Sequence, residues 1–97
     1  MAYVQVLQVH DAPIDELRRV NEYIGSRPPE GFLAGAAAET SDGFCVISIW
    51  GSKADLDRFT AEQLGPALVA TGATGTPEFP VSAEAILLPG TPQPALR

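Results

Sequence analysis

Hydrophobic positions in the first part of this chain follow two different spacings. The stretch YVQVLQVH (3–10) is rich in Val and has the length of a β-strand. Asp11 and Pro13 then favour the start of a helix, because Asp is a good N-cap and Pro fits the first turn. The loop SRPPEG ends this helix, since two prolines cannot continue it. The pattern predicts a strand and one amphipathic helix with an apolar stripe of Ile14, Leu17, Val20 and Ile24.

A hairpin is predicted next. FLAGAAAET (32–40) is rich in alanine, so its composition alone is compatible with a helix or a strand. The segment is short, and TSDG leads from it directly into FCVISIW (44–50), as a hairpin turn does. We therefore predict two adjoining strands.

A second helix and a last strand complete the chain. Ser52 and Asp55 have the spacing of a capping box. The helix behind them is expected to bend or break late, at Gly65–Pro66. ATGATGTPE (70–78) is expected to form a loop, and FPVSAEAILL (79–88) an edge strand, because its proline lacks an N–H. The apolar stripe of this second helix is Leu56, Phe59, Leu64 and Leu68.

The predicted order β-α-β-β-α-β is that of a ferredoxin-like fold of the α+β class. Right-handed crossovers place both helices on one face of a four-stranded antiparallel sheet. Residues 1–90 are expected to form this single domain, since 97 residues leave no room for a second core. Residues 91–97 are expected to form a flexible C-terminal tail.

Strand 44–50 is apolar on both faces, which is unusual for a strand with one side in water. One set of alternate side chains is expected to pack on the helices. The other set combines aromatic rings with a hydroxyl and an indole N–H and is expected to face away from them. Exposing its large side chains would cost roughly 1.5–3 kcal/mol each, so we predict a homodimer whose two sheets pack back to back and enclose a cavity. The sets are Cys45, Ile47 and Ile49 toward the helices, and Phe44, Val46, Ser48 and Trp50 away from them.

Strand 32–40 carries only small side chains at its centre. Ala34, Ala36 and Ala38 share one face, and Gly35 and Ala37 share the other. Small residues either leave a hollow or allow close packing, and the sequence leaves both interpretations open.

Composition and charge exclude several classes of function. The formal charge is −6 and the basic residues are scattered, which argues against a nucleic-acid partner. No apolar run approaches the ~20 residues of a membrane span, and the first residues lack the features of a signal peptide, so a cytoplasmic protein is expected. A single Cys and a single His cannot build a usual zinc site.

With this architecture, FCVISIWGSKADLDRF (44–59) resembles a known family. An apolar strand ends in Trp, x-Ser follows, and the next helix carries an aromatic residue one to two turns in. Together with the preceding strand in PPEGFLAGAAAETSDG, this is similar to the antibiotic biosynthesis monooxygenase-like family of the dimeric α+β-barrel superfamily. The resemblance covers about residues 3–88 and implies a homodimer that uses no cofactor.

The resemblance also implies where a site would lie. Quinone-forming members without a cofactor use a Trp and an Asn on the inward face of the third strand and a Tyr early in the next helix. Trp50 matches the Trp, whereas Val46 stands at the Asn position and Leu56 at the Tyr position. Haem-degrading members use a Trp and a His in the helix after that strand, and residues 53–70 contain neither.

The predicted function is the binding of an apolar aromatic or polyketide-like small molecule between sheet and helices. The activity that the resemblance implies is cofactor-independent monooxygenation in secondary metabolism. A cyclase or isomerase on a similar substrate, and a ligand-binding protein without catalysis, stay open. The face of strands 1, 2 and 4 that lines the cavity also stays open.

His10 is the only histidine and therefore the candidate for catalytic proton transfer. The structural alternative is a hydrogen bond to Asp11 or to loop backbone at the end of the first strand. The candidate substrate-binding residues are Trp50, Ser48, Phe44, Val46 and Gln8.

Overall fold

The described residues of the computed structural model, 1–88, form the predicted β-α-β-β-α-β order. The four strands build one antiparallel sheet in the order β2-β3-β1-β4, which confirms the ferredoxin-like α+β fold. The predicted tail of residues 91–97 lies outside the described residues. The elements are β1 (Ala2–His10), α1 (Asp15–Ile24), β2 (Phe32–Thr40), β3 (Gly43–Trp50), α2 (Lys53–Phe59), α3 (Gly65–Thr71) and β4 (Thr76–Ala85).

The first helix and the last strand begin at other residues than the sequence predicts. Asp11 is not the N-cap of α1: its φ of 61° is left-handed, and its N–H donates to the carbonyl of Asp42 at 2.8 Å. Ile14 occupies the N-cap position instead. β4 starts within the predicted loop, because Thr76 already pairs with His10. The predicted edge position of β4 is confirmed, since only β1 borders it.

The second helical layer begins with the predicted cap and contains an irregular turn. The Ser52 hydroxyl accepts the N–H of Asp55 at 3.2 Å and donates to its carboxylate at 3.0 Å. A π-helical turn (Thr60–Leu64) joins α2 to α3, and within it the N–H of Gly65 donates to the carbonyl of Thr60. Pro66 has no N–H for the carbonyl four residues before it, so the regular helical ladder is interrupted at this place.

The face of the sheet that the helices cover is the reverse of the predicted one. Trp50 is only 2 % exposed and packs with Leu56 and Phe59 of α2. The connection from β3 to α2 is two residues long, so the helix folds directly over the side chain that ends the strand. Phe44, Val46 and Ser48 alternate in step with Trp50 and therefore face the helices as well.

The opposite side of the sheet, which we call the outer sheet face, is apolar and uncovered in the single chain. Cross-strand partners share a face, so the register places one set of residues together there. Ile47 is 43 % exposed and Val81 42 % exposed. One apolar face is thus exposed in the single chain, but it carries the other set of residues than the sequence analysis predicts. The apolar residues of the outer sheet face are Val4, Val6, Ala34, Ala36, Ala38, Cys45, Ile47, Ile49, Val81 and Ala83, and Gln8 lies on the same face.

None of the helices within residues 1–88 has the length and apolar character needed to span a bilayer.

A buried carboxylate fixes α1 to the loop before β4. Glu16 is 7 % exposed, and its oxygens accept the N–H and the hydroxyl of Thr74 and the N–H of Gly75 at 2.6–3.3 Å. The hydrogen bond from the Thr74 hydroxyl, foremost, lowers the pKa of Glu16. Because the folded-state pKa is lowered, this stabilisation is present above the unfolded pKa and is lost as the pH falls through the folded value.

Glu16→Gln is expected to lower the free energy of unfolding at pH 7 by about 1–3 kcal/mol, because an amide nitrogen then meets backbone donors. The difference from the wild type should shrink as the pH falls below the ordinary value of 4.5 and through the lowered pKa of Glu16. Urea unfolding over this pH range measures both effects. Glu22→Gln, at an exposed position of the same helix, is the matched control. Equal losses in the two variants would contradict the assigned role.

Candidate functional site

A cavity of about 510 Å³ lies between the sheet and the helices. Its volume is within the ~300–1,000 Å³ typical of small-molecule pockets. The floor is formed by β1 and β3, and the roof by α1 and the second helical layer. Its main apolar lining consists of Leu7, Leu17, Val20, Ile24, Phe32, Val46, Phe59 and Leu64.

The small residues of β2 provide part of this space. Gly35 and Ala37 pair with Ser48 and Val46 of β3, and both line the cavity. A Cβ atom on Gly35 would come within 2.8 Å of the Phe32 ring, so a larger residue would displace that ring. The structure therefore favours the hollow over close packing on this face of β2.

Trp50 lines the cavity, and its indole N–H has no hydrogen-bond partner within residues 1–88. Its ring contacts Phe32 edge-on with centroids 5.3 Å apart and lies 5.2 Å from Phe59. Its Nε1–H is buried and has no hydrogen-bond partner among the described residues. A buried donor without a partner costs about 1–3 kcal/mol, and buried indole N–H groups usually have a partner. The N–H is closed to the cavity in this arrangement, so a ligand oxygen reaches it only when the neighbouring side chains move.

The other polar groups of the cavity are nearly all neutral. Gln5 and Ser48 are cross-strand partners on its floor, and Asn21 lies on the α1 side. Arg27 is the one ionisable side chain in the lining formed by residues 1–88. No group of three or more potential metal ligands that could hold an ion occurs in this part of the chain.

The structure brings together three of the predicted site residues. Trp50, Ser48 and Val46 line the cavity. Phe44 is buried on the same face of β3 but lies outside the lining. Gln8 is three residues after Gln5 along β1, so its side chain lies on the opposite, outer side of the sheet.

His10 lies at the end of β1, outside the cavity lining. Its Nδ1 is 2.8 Å from the carboxylate of Asp42, and its Nε2 is 2.9 Å from that of Glu78. The hydrogen bond to Glu78, followed by that to Asp42, raises the pKa of His10, and the pKa of Asp42 is lowered by the same contact. A base needs a free nitrogen near the substrate. The catalytic role of His10 stays a prediction, and this location does not support it.

Sequence reasoning missed most residues of the cavity lining, among them Gln5, Arg27 and Phe59. A signal for Gln5 exists, because antiparallel partners share a face and Gln5 stands opposite Ser48. Phe59 was recognised only as part of an apolar stripe. Arg27 lies in a loop, where hydrophobic periodicity does not show which way a side chain points.

No protein-family model matches the chain, and no curated protein sequence matches it. Among solved structures, two chains of SnoaB, a cofactor-independent oxygenase from Streptomyces nogalater, are similar to it. A substituted form of SnoaB superposes with a TM-score of 0.61 at 19% identity, and another SnoaB structure with 0.59 at 21%. Each match covers 92% of this chain and 95% of SnoaB. The similarity shows a shared fold and, at that level, supports the family resemblance of residues 44–59.

The single histidine allows a direct test of the paired-carboxylate geometry. In an NMR pH titration, the pKa of His10 is expected to lie above the ordinary 6.5, and Asp42→Asn with Glu78→Gln should return it toward that value. Because the folded pKa is raised, the ion pairs stabilise the protein fully below the unfolded pKa and lose this effect as the pH rises through the folded pKa. Asp57→Asn, which removes an exposed carboxylate elsewhere, should leave the titration unchanged. A wild-type midpoint at or below 6.5 would refute the geometry.

Proposed function

We propose that this protein is a cofactor-independent oxygenase whose substrate, a flat aromatic or polyketide-like molecule, binds in the cavity between sheet and helices. The observation that carries the proposal is an apolar cavity lined by Trp50, whose buried Nε1–H has no partner in the described part of the chain. The fold shared with SnoaB, itself a cofactor-independent oxygenase, supports the same activity.

The cavity suits a substrate that supplies its own reactivity. An anthrone-like substrate gives a proton to water and becomes an electron-rich anion, which transfers one electron to dioxygen. The two radicals combine in a carbon–oxygen bond, and the peroxide anion takes a proton from water. Loss of water from the resulting hydroperoxide converts the CH₂ group into a carbonyl, so that one oxygen atom enters the product and the other leaves as water. Trp50 donates to the developing oxyanion, and Gln5 and Ser48 orient the ring system.

The second candidate is a ligand-binding protein without catalysis. Arg27 cannot serve as a base, and the described lining holds no other titratable side chain. Val46, which stands where the resemblance implies an Asn, is one of the lining residues. Both observations fit a binding protein. A cyclase or isomerase needs a positioned proton donor or acceptor, and no observation in the cavity favours that alternative.

A homodimer formed through the outer sheet face is part of the proposal. Ile47 and Val81 at its centre remain more than two-fifths exposed in the single chain. Stacked sheets pack about 10 Å apart with interdigitating side chains, and the flat aliphatic surface of this face suits such packing. The helices lie on the far side, so each subunit keeps its own cavity. The cytoplasmic location expected from the sequence stays a prediction.

Oxygen consumption with anthrone tests the activity. The wild type is expected to accelerate oxygen uptake above the rate without protein and to form anthraquinone. Trp50→Phe keeps the aromatic packing but removes the donor, so its rate should fall by about 10–100-fold. Tyr23→Phe, at an exposed site on α1, is the control, and His10→Ala should also retain activity.

Trp50 is the only tryptophan, so quenching of its fluorescence reports binding in the same samples. Quenching without product over many equivalents would establish the binding protein instead. A wild type that neither binds nor oxidises anthrone would contradict both candidates, and a loss of activity in His10→Ala would restore His10 as the base.

Ile47→Glu tests the dimer, because it places a charge in the centre of the proposed interface. Light scattering coupled to gel filtration should give twice the chain mass for the wild type and a single chain for this variant. Val69→Glu is the matched control, since Val69 is 84 % exposed on α3. A wild type that is monomeric at micromolar concentration would rule the dimer out.

A further inference from the structure

The charge in the cavity is of one sign. Arg27 contributes the one charge in the described lining, and no carboxylate of residues 1–88 belongs to that lining. This contrasts with the whole chain, which has twelve acidic and six basic residues. A wall with one cation and no anion favours a ligand that carries negative charge.

Arg27 is free to bind such a ligand. Arg18 pairs with Asp15 at 2.8 Å, and Lys53 pairs with Asp57 at the same distance. Arg58 contacts two carboxylates. Arg27, by contrast, has no ion pair or hydrogen bond with any residue of the described range. Arg19 also lacks an ion pair and a hydrogen bond within the described range, but it does not line the cavity, and its charge acts on Glu16 instead. Within residues 1–88, Arg27 is therefore the guanidinium without a partner at this cavity.

The segment around Arg27 restricts its backbone. Gly25 ends α1 with a φ of 100°, which side chains disfavour, and Gly25 and Ser26 both line the cavity. Pro28 and Pro29 follow directly and fix their own φ angles, and a residue before proline is held in an extended conformation. Arg27 is exposed and also lines the cavity, so it lies at the rim rather than in the depth.

We infer that the ligand of this cavity is an aromatic compound with an anionic oxygen group, a carboxylate or a phenolate, which Arg27 binds at the rim. The inference rests on the proposed function, because the ligand is the one that occupies the same cavity. The rings of this ligand lie against the apolar walls, and an oxygen at its other end accepts from the Nε1–H of Trp50. A guanidinium matches a carboxylate in geometry as well as in charge.

Two ligands of the same shape and different charge test this inference. 2-Naphthoate is anionic at pH 7.5, whereas 2-naphthamide is neutral. In calorimetric titrations, Arg27→Met is expected to weaken naphthoate binding by about tenfold and to leave naphthamide binding unchanged. Arg18→Met removes the same charge from the outside of α1 and should leave both affinities unchanged. Raising the salt concentration from 50 to 500 mM should weaken naphthoate binding to the wild type more than to Arg27→Met.

Each other outcome overturns the inference in a distinguishable way. If both ligands bind the wild type equally and Arg27→Met has no effect, the ligand is not selected by charge, but the proposed cavity ligand stands. If Arg27→Met and Arg18→Met weaken naphthoate binding equally, the effect comes from net charge and not from a contact at the rim. If neither ligand binds the wild type at millimolar concentration, both the inference and the proposed aromatic site are wrong.

Discussion

The packing of one indole under one helix determines most of this structure. β3 ends in Trp50, only Gly51 and Ser52 separate it from α2, and Ser52 caps that helix through Asp55. Gly51 also donates its N–H to the carbonyl of Gly31 at 2.8 Å, which fixes the start of β2 at the same corner. A side chain at Gly31 would collide with the Asp55 carboxylate, so the corner depends on a glycine there. The short connection, the Ser52 cap and the hydrogen bond from Gly51 to Gly31 together hold α2 over the indole.

That packing divides the sheet into two faces with different roles. On the helix side, bulky rings at the ends of the strands hold the layers apart, while Gly35 and Ala37 leave the space between them open. The result is an apolar cavity with a guanidinium at its rim, lined by Trp50, whose N–H is buried and has no partner among the described residues. On the outer side, aliphatic residues such as Ile47 remain exposed, and the proposed second subunit would cover them. The cavity and the outer sheet face share only Ala36 and Ile47 among the residues assigned to each.

The sequence predicts the fold well because each element has a local cause. The capping box at Ser52, the prolines after α1 and the two apolar stripes each act within one turn or one strand. The direction of the faces could not be predicted in the same way, since alternation separates two sets of side chains without saying which one meets the helices. Here both sets are apolar, so composition does not show which set faces the helices. The short β3–α2 connection did carry that information, because it leaves no room for the helix on the far side of Trp50. The sequence predicts His10 as the base because it is the only histidine. In the structure, carboxylates that are distant in sequence form hydrogen bonds with both of its nitrogens.

The central claim is that the indole of Trp50 faces the helices and offers its N–H to a ligand. A nitrogen-15-edited NOE spectrum tests it most directly, because the only tryptophan gives a single indole N–H signal. The account predicts contacts from the indole to Phe59 and Phe32 of the same subunit. It also predicts a downfield shift of the N–H when anthrone is added. Indole contacts to Ile47 or Val81 of a second subunit, with no shift on addition of anthrone, would contradict it.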